Sequence, residues 1–365
     1  MNKVILPSEL IFFVTSRCHL RCKHCFNWNA LQRNNDLSLE EIEKLAKSLP
    51  KLKTLSISGG EPFLRKDLVE ICRIFAKHCR ISLIDIPTAG TLVDTTIAAV
   101  EEILKIEPSF NLSIGVSIDG MESYHDSNRG VPGTFAKAVE CCIGLLELKN
   151  KYKRLSVNIL TTLVQDNRAE LLALKEFVAE KLPGVDDLSC VIARGDVKEE
   201  SLGLVSPEDL ECIDREFFEF NSHRKNAQHR VISNRLAELR REAFLNKVQP
   251  VPCIAGHGIA VVYDDGGVAP CELLPTVSNL RSAPFEAIWN SEQMREARSV
   301  ITSKKCVCTH ECFLGPSYMA YLMERPLTYI RLAGVHGVHS MLYEKCGIGV
   351  VTRKVRKIAR KLHKG

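Results

Sequence analysis

The 365-residue sequence contains no stretch approaching ~18 uninterrupted apolar residues, which argues against a membrane-spanning helix. Its opening, MNKVILPSELIFFVTSRC, has a short apolar run but no small-residue cleavage site behind a charged start, and reads as a first strand instead of an export signal. Internal repeats and low-complexity tracts are absent. So is a broad excess of charge: residues 351–365 carry seven Lys/Arg and no acid, and without them the net charge falls from +5 to −2. The body therefore shows no general nucleic-acid-binding character. The most informative absence is a fourth cysteine after Cys18, Cys22 and Cys25. A structural zinc site and the common ferredoxin clusters each complete four protein ligands. Either a ligand comes from elsewhere, or an open coordination position is the purpose.

What is present is ordinary in bulk, with 45% hydrophobic and 25% charged residues. The length suits one large α/β domain plus a smaller one. Fifteen cysteines in a chain without an export signal point to reduced thiols, metal ligation and a cytoplasmic location. Beside the first triplet there is a looser group of Cys253, Cys271, Cys306, Cys308 and Cys312, while Cys72, Cys79, Cys141, Cys142, Cys190 and Cys212 sit among apolar residues as core filler. Cys346 follows the second group and is a further candidate ligand.

Strand-like runs at 10–15, 53–58, 81–87, 111–118, 155–162 and 187–192 alternate with helical patterns near 38–49, 65–79, 94–106, 134–149 and 168–182. Ser38 and Glu41 have capping-box spacing. This alternation implies a parallel sheet with right-handed crossovers, open or closed into a barrel. Ligands gather at the C-terminal ends of such strands. The cysteine triplet, SGGEPF, PTAG and DG follow strands one to four in turn, so four strand ends point to one site. Candidate acid/base groups near these ends are Asp85, Asp119, Arg194 and Asp196, none singled out as the proton donor.

Cys18-His-Leu-Arg-Cys22-Lys-His-Cys25 matches the Cx3Cx2C motif of the radical S-adenosylmethionine (AdoMet) superfamily, and the chain resembles that family over most of its length. The resemblance implies a partial (β/α)6 barrel and a [4Fe–4S] cluster on Cys18, Cys22 and Cys25, whose open iron chelates AdoMet. Reductive cleavage of AdoMet there would yield a 5′-deoxyadenosyl radical that abstracts a substrate hydrogen. Gly59-Gly60-Glu61-Pro62, Thr88, Ser117, Asp119, Arg129 and His24 stand where relatives contact AdoMet. Two departures stand out. His24 replaces a frequent aromatic residue, and Thr88-Ala89-Gly90 replaces a frequent Thr-Asn-Gly.

Cys253, Gly266 and Cys271 resemble the opening of the SPASM/Twitch extension, and Cys306, Cys308 and Cys312 its continuation, compressed enough to imply one auxiliary cluster, expected to be [4Fe–4S], with Cys306 or Cys308 as a spare. A zinc knuckle is the structural alternative. The expected domains are the barrel at 8–195, a helical connection at 196–250, the auxiliary-cluster domain at 251–315 and a C-terminal helical region at 316–365. Val355, Ile358, Ala359 and Leu362 give the basic tail 351–365 an apolar face suited to weak contact with an anionic membrane surface. The substrate expected is a small molecule, sugar or lipid, with dehydrogenation, epimerisation or cross-linking as outcomes and a flavodoxin or ferredoxin as electron donor. A peptide maturase is the alternative within the family. A non-catalytic iron–sulfur carrier, redox sensor or zinc-stabilised scaffold is the alternative outside it.

Overall fold

The computed structural model describes residues 6–203, 205–223, 227–303 and 306–324. Cys346 and the basic tail lie outside the described residues. The first half runs β1 (Glu9–Phe13), α1 (Leu39–Ser48), β2 (Thr54–Ser58), α2 (Leu68–His78), β3 (Leu83–Thr88), α3 (Val93–Leu104), β4 (Asn111–Ser117), α4 (Glu122–Arg129), α5 (Thr134–Lys151), β5 (Leu155–Leu163), α6 (Arg168–Lys181) and β6 (Asp187–Ile192). The expected capping box is present: Ser38 N–H donates to Glu41 Oε2 at 2.8 Å and Glu41 N–H to Ser38 Oγ at 3.3 Å. The sequence reading missed α4. It is a polar helix with too few apolar positions to show a period, and it ends at Gly130, whose φ of +71° gives the left-handed stop.

β1 to β6 pair in parallel and in chain order, and the sheet has the form of a partial TIM barrel. Alternation along the strands separates two faces. Leu55, Ile57, Ile84, Ile86, Leu112, Ile114 and Val157 are fully buried on the helix side, whereas Ser56, Asp85, Ser113 and Asn158 on the other face are half-buried. Phe12 marks the helix side by packing edge-on against Phe75 of α2 at 6.0 Å. Its neighbour Phe13 points the other way, against Tyr263 at 4.9 Å. In a right-handed βαβ series every helix lies on one side, so the opposite face is concave.

The later elements are α7 (Pro207–Ser222), α8 (Ala227–Asn246), β7 (Ile259–Val262), β8 (Gly267–Ala269), β9 (Ser278–Asn279), α9 (Phe285–Trp289), α10 (Glu292–Thr302) and α11 (Glu311–Glu324). β7 pairs in parallel with β1, Ile11 opposite Val261, and β8 and β9 follow antiparallel, so the hairpin after Cys253 extends the barrel sheet to nine strands. The chain divides into two compact units: residues up to 224 with 254–306, and the described parts of 225–253 and 307–365. Between β6 and β7, α7 belongs to the first unit and α8 to the second. The second unit packs α8 on α11 through Leu239, Val251, Leu314, Tyr318 and Leu322. No described helix is long and apolar enough to cross a membrane.

Asp264, in the β7–β8 turn, is 1% exposed and its Oδ2 has no hydrogen-bond partner among the described residues. Burial, with Asp265 adding, pushes its carboxyl up to about 6. The folded state therefore holds this proton more tightly than the unfolded chain, and stability falls as pH rises from about 4 to about 6. Asp264→Asn is expected to unfold at higher denaturant at pH 7.5, by on the order of 2 kcal/mol, with the gain shrinking as pH is lowered towards 5. Urea titrations of both proteins at the two pH values check it.

Candidate active site

The loop after β1 carries Cys18, Cys22 and Cys25 and is held by backbone hydrogen bonds on three sides. Gly60 N–H donates to the Thr15 carbonyl at 2.8 Å and Glu61 N–H to the Arg17 carbonyl at 2.8 Å, which continues the β1–β2 pairing past the strand ends. Arg21 and Lys23 N–H donate to the Arg129 and Asn128 carbonyls at 3.0 and 2.9 Å. Lys198 and Glu199, after β6, donate to the Cys25 and Lys23 carbonyls at 3.2 and 3.0 Å. Gly60 is required by this approach: a Cβ there would lie 2.1 Å from the Arg17 carbonyl oxygen and 3.0 Å from Cys18 Cβ. Arg65, buried and unanticipated, braces the base of the loop by donating to the Val14 and Leu37 carbonyls at 2.5 and 2.6 Å while pairing with Asp67 at 2.8 Å. Asp36 does the same at the rim, accepting from Thr15 Oγ1 at 2.6 Å and Ser16 N–H at 3.1 Å.

Beneath the loop lies a buried charge network. Asp119, 0% exposed, follows β4; Arg129, 7% exposed, ends α4; their side chains meet at 2.7 Å. Asn128 Nδ2 donates to Asp119 Oδ2 at 3.0 Å, and Thr162 N–H donates to Oδ1 at 3.1 Å. Against the cost of burial, Arg129, His24 and His125 hold the Asp119 carboxyl below the usual carboxylate range. Burial likewise opposes the Arg129 charge, but Asp119 and Cys22 raise its affinity for the proton. Arg129 Nη1 points at Cys22 Sγ, 3.6 Å away, and its Nε has no partner among the described residues.

His24 Nδ1 lies 3.0 Å from Asn128 Nδ2 and 3.4 Å from Asn128 Oδ1, and its Nε2 is 4.0 Å from Asp119. Burial pushes this ring, like that of His125, towards the neutral form, His125 down to about 4. His125 Nδ1 accepts the Asp119 N–H at 3.1 Å. His125 and Asn128 were overlooked in the sequence because only Arg129 of SNRG stood out; the helical i, i+3 and i+4 spacing from 125 to 128 and 129 is the signal, legible once α4 is known.

Glu61, 3% exposed, faces inward. It accepts from Thr88 Oγ1 at 2.9 Å, Ala89 N–H at 2.8 Å and Phe63 N–H at 3.2 Å, fixing the turn after β3. Burial nonetheless leaves its carboxyl above the usual range. Pro62 is buried beside it, and Thr88 Oγ1 also accepts the Gly90 N–H at 3.0 Å, while Ala89 contributes its backbone N–H. Ser117 ends β4 half-buried, while Gly59 approaches the Thr15 backbone. Across the sheet, at the end of β6, Arg194 pairs with Glu272 at 3.1 Å and lies 4.3 Å over the Phe26 ring. It thereby connects the residue after Cys25 to the residue after Cys271. Asp196 accepts the Trp28 indole N–H at its carbonyl, 3.1 Å away.

The donor set fits a cluster with an open iron: three thiols on one loop, no Cβ on Gly60, and the Arg129 guanidinium reaching the same thiols, at Cys22, through Nη1. Among the described residues no three Cys, His, Asp or Glu side chains are already gathered for a metal ion. Burial pushes the Cys18 thiol up to about 12 and raises that of Cys25, so ligation must release protons. Of the second group, Cys271 and Cys306 lie in the first unit, and Cys253, Cys308 and Cys312 in the second. Cys271 Sγ accepts the Leu273 N–H at 3.5 Å; Cys308 N–H donates to Gln249 Oε1 at 2.9 Å, and its Sγ accepts the His310 N–H at 3.3 Å.

Comparison with known proteins matches residues 12–178 to the radical SAM superfamily and residues 253–313 to SPASM, an iron–sulfur cluster-binding domain. An AdoMet-dependent heme synthase of Methanosarcina barkeri is 26% identical over 332 residues, covering 84% of this chain and 89% of that protein. The subtilosin biosynthesis protein AlbA of Bacillus subtilis is 25% identical over 334 residues, covering 87% and 68%. Among solved structures, anSMEcpe with bound AdoMet superposes with a TM-score of 0.60 at 20% identity, covering 81% of this chain and 84% of that one. SuiB of Streptococcus suis bound to its precursor peptide SuiA gives 0.57 at 16% identity, covering 80% and 67%.

Gly60→Ala is expected to displace the Arg17–Cys18 backbone and cut iron retained by the N-terminal site severalfold; iron analysis in a background with the second cysteine group replaced checks it. Arg129→Ala leaves Asp119 buried without its cation and is expected to cost about 3–5 kcal/mol. Adding Asp119→Asn should recover much of that loss in urea titrations, because the uncompensated charge is then gone.

Proposed function

Since the chain belongs to the radical AdoMet superfamily and carries a SPASM iron–sulfur domain, we propose that it abstracts hydrogen from a polar organic substrate seated on the concave face of the sheet. Its cofactors are a [4Fe–4S] cluster, AdoMet and auxiliary iron–sulfur. When bound, the cluster and AdoMet supply a 5′-deoxyadenosyl radical by reductive cleavage. The protein's part is to hold and orient. Cys18, Cys22 and Cys25 ligate the cluster. Arg129, held by Asp119, which Asn128 holds in turn, directs Nη1 at the cysteine loop, where a guanidinium donates strongly to a carboxylate. Gly60 permits close backbone approach, and Glu61 holds the Thr88–Ala89 turn in place. The auxiliary ligands are drawn from Cys253, Cys271, Cys306, Cys308 and Cys312, with Cys306 or Cys308 as the spare, and a flavodoxin or ferredoxin supplies the electron.

The observation that carries this reading is Arg129: a buried cation locked to Asp119, aimed at Cys22, with one nitrogen unpaired. An electron carrier or zinc scaffold has no use for such a guanidinium beside its thiols. The likeness to heme synthases does not extend comfortably to their substrate class, since the concave face of β1–β6 presents Ser56, Ser58, Asp85, Ser113, Asn158 and Asp187 but no Lys or Arg to meet the carboxylates of a porphyrin. A small hydroxylated or nitrogen-bearing substrate suits this face. A peptide is the second reading, supported by the likeness to AlbA.

After anaerobic reconstitution the wild type is expected to hold about eight irons, falling to about four when Cys18, Cys22 and Cys25 are all alanine. With a strong reductant and AdoMet, only the wild type should release 5′-deoxyadenosine. Loaded clusters that bind AdoMet yet never cleave it under these conditions would overturn the reading.

A further inference from the structure

The concave face holds one carboxylate whose environment is unlike that of any other group at the site. Asp85 is the third residue of β3, paired in register with Ser56 of β2 and Ser113 of β4, and Ser113 is in turn opposite Ser156 of β5. It is half-buried, with access from the concave side. Polar neighbours surround it on the same face: Asn158 Nδ2 donates to Ser113 Oγ at 3.0 Å, Ser156 Oγ lies 3.2 Å from Asn158 Oδ1 and 3.3 Å from Asp186 Oδ2, and Ser113 is the in-register neighbour of Asp85 on β4. No cation among the described residues pairs with it, and the concave positions of β1–β6 carry no Lys, Arg or His.

A carboxylate has about four lone-pair sites. Asp85 is half-buried, is not among the fully enclosed unpartnered groups, and has no ion-pair partner among the described residues, while burial raises its carboxyl above the usual range, with Ser113 opposing. Packing does not require the acid there, because the neighbouring positions are satisfied with serine and asparagine. Resting on the function proposed above, we propose that Asp85 anchors a positively charged nitrogen of the substrate, a primary ammonium or a guanidinium, with Ser56 and Ser113 completing the polar seat. Thr88, three residues further along β3, bonds Glu61 at the level of the AdoMet loop, so the anchor lies roughly 10 Å deeper along the strand. That span suits an amino sugar or the side chain of a lysine or arginine. The charged nitrogen then sets which carbon is presented to the radical. Asp85 is thus a specificity-determining residue, remote from the bond that breaks.

Two sources of the charged nitrogen are separated by matched probes: glucosamine against N-acetylglucosamine, and the peptide Gly-Lys-Gly against its Nζ-acetylated form. Calorimetric titration into the full chain, reconstituted and saturated with AdoMet, is expected to show the charged member of one pair binding at least tenfold more tightly. In Asp85→Asn that preference should fall below twofold. The pair that discriminates identifies a small molecule or a peptide as the source. No preference in either pair of the wild type, or a preference that survives in Asp85→Asn, overturns the proposal. The melting temperature of Asp85→Asn is expected to equal or exceed the wild type's, because an amide of the same shape removes a half-buried charge that no cation pairs. A drop of several degrees would instead mark Asp85 as a structural acceptor and also overturn it. Failure to release 5′-deoxyadenosine is a separate result, overturning the radical reading while the binding preferences remain measurable.

Discussion

The Asp119–Arg129 ion pair is the constraint from which the rest of the site follows. Both charges are almost wholly removed from water, so each is tolerable only because the other is 2.7 Å away and because Asn128, Thr162 and Cys22 take up further bonding capacity. Asp119 follows a strand of the sheet, and Arg129 ends the helix that comes next. Their attraction therefore fixes where α4 stops, and the carbonyls at that stop receive the N–H groups of the cysteine loop. A cluster-binding loop without regular structure is positioned in this way by an ion pair it does not contain.

Glu61 acts on the same principle without a direct ion pair, Arg129 acting on it only from a distance. Its carboxylate gathers three donors from two separate turns, and the turn after β3 has little else to hold it. Hydrogen bonds to a charged group in a water-poor place are stronger than their solvated counterparts, which is how a short Gly-Gly-Glu-Pro segment stiffens two strand ends at once. The protein thereby presents backbone polar groups and one guanidinium nitrogen in preset positions, so a bound cofactor need not order them.

The hairpin that carries Cys271 is joined to the barrel sheet through β7. Sheet pairing transmits position more rigidly than a loop would, and Glu272 uses it: its carboxylate meets Arg194 from the far end of the sheet, and Arg194 stacks on Phe26 beside Cys25. The surroundings of Cys25 and of Cys271 are consequently coupled through one arginine within a single compact unit. The concave face between β2 and β6 is polar, with hydroxyls and carboxylates where a buried sheet would place valine and isoleucine.

By itself the sequence determined what depends on short-range spacing. The Cys18, Cys22 and Cys25 interval, the capping box at Ser38 and Glu41, the strand–helix alternation and the glycines before Glu61 are properties of adjacent residues, and each was legible. Alternation along β3 also tells that Leu83, Asp85 and Pro87 share a face. It does not tell whether that face meets helices or open space, because period fixes sides and only packing names them. The tertiary structure decided the remainder: that Arg129 turns inward to Asp119 instead of outward to solvent, that Glu61 reaches Thr88 and Ala89, that β7 adds to β1, and that Asp85, Ser113 and Asn158 align across three strands. Each of these joins segments separated along the chain, and their register is set by strand pairing and burial, which no local window of sequence contains.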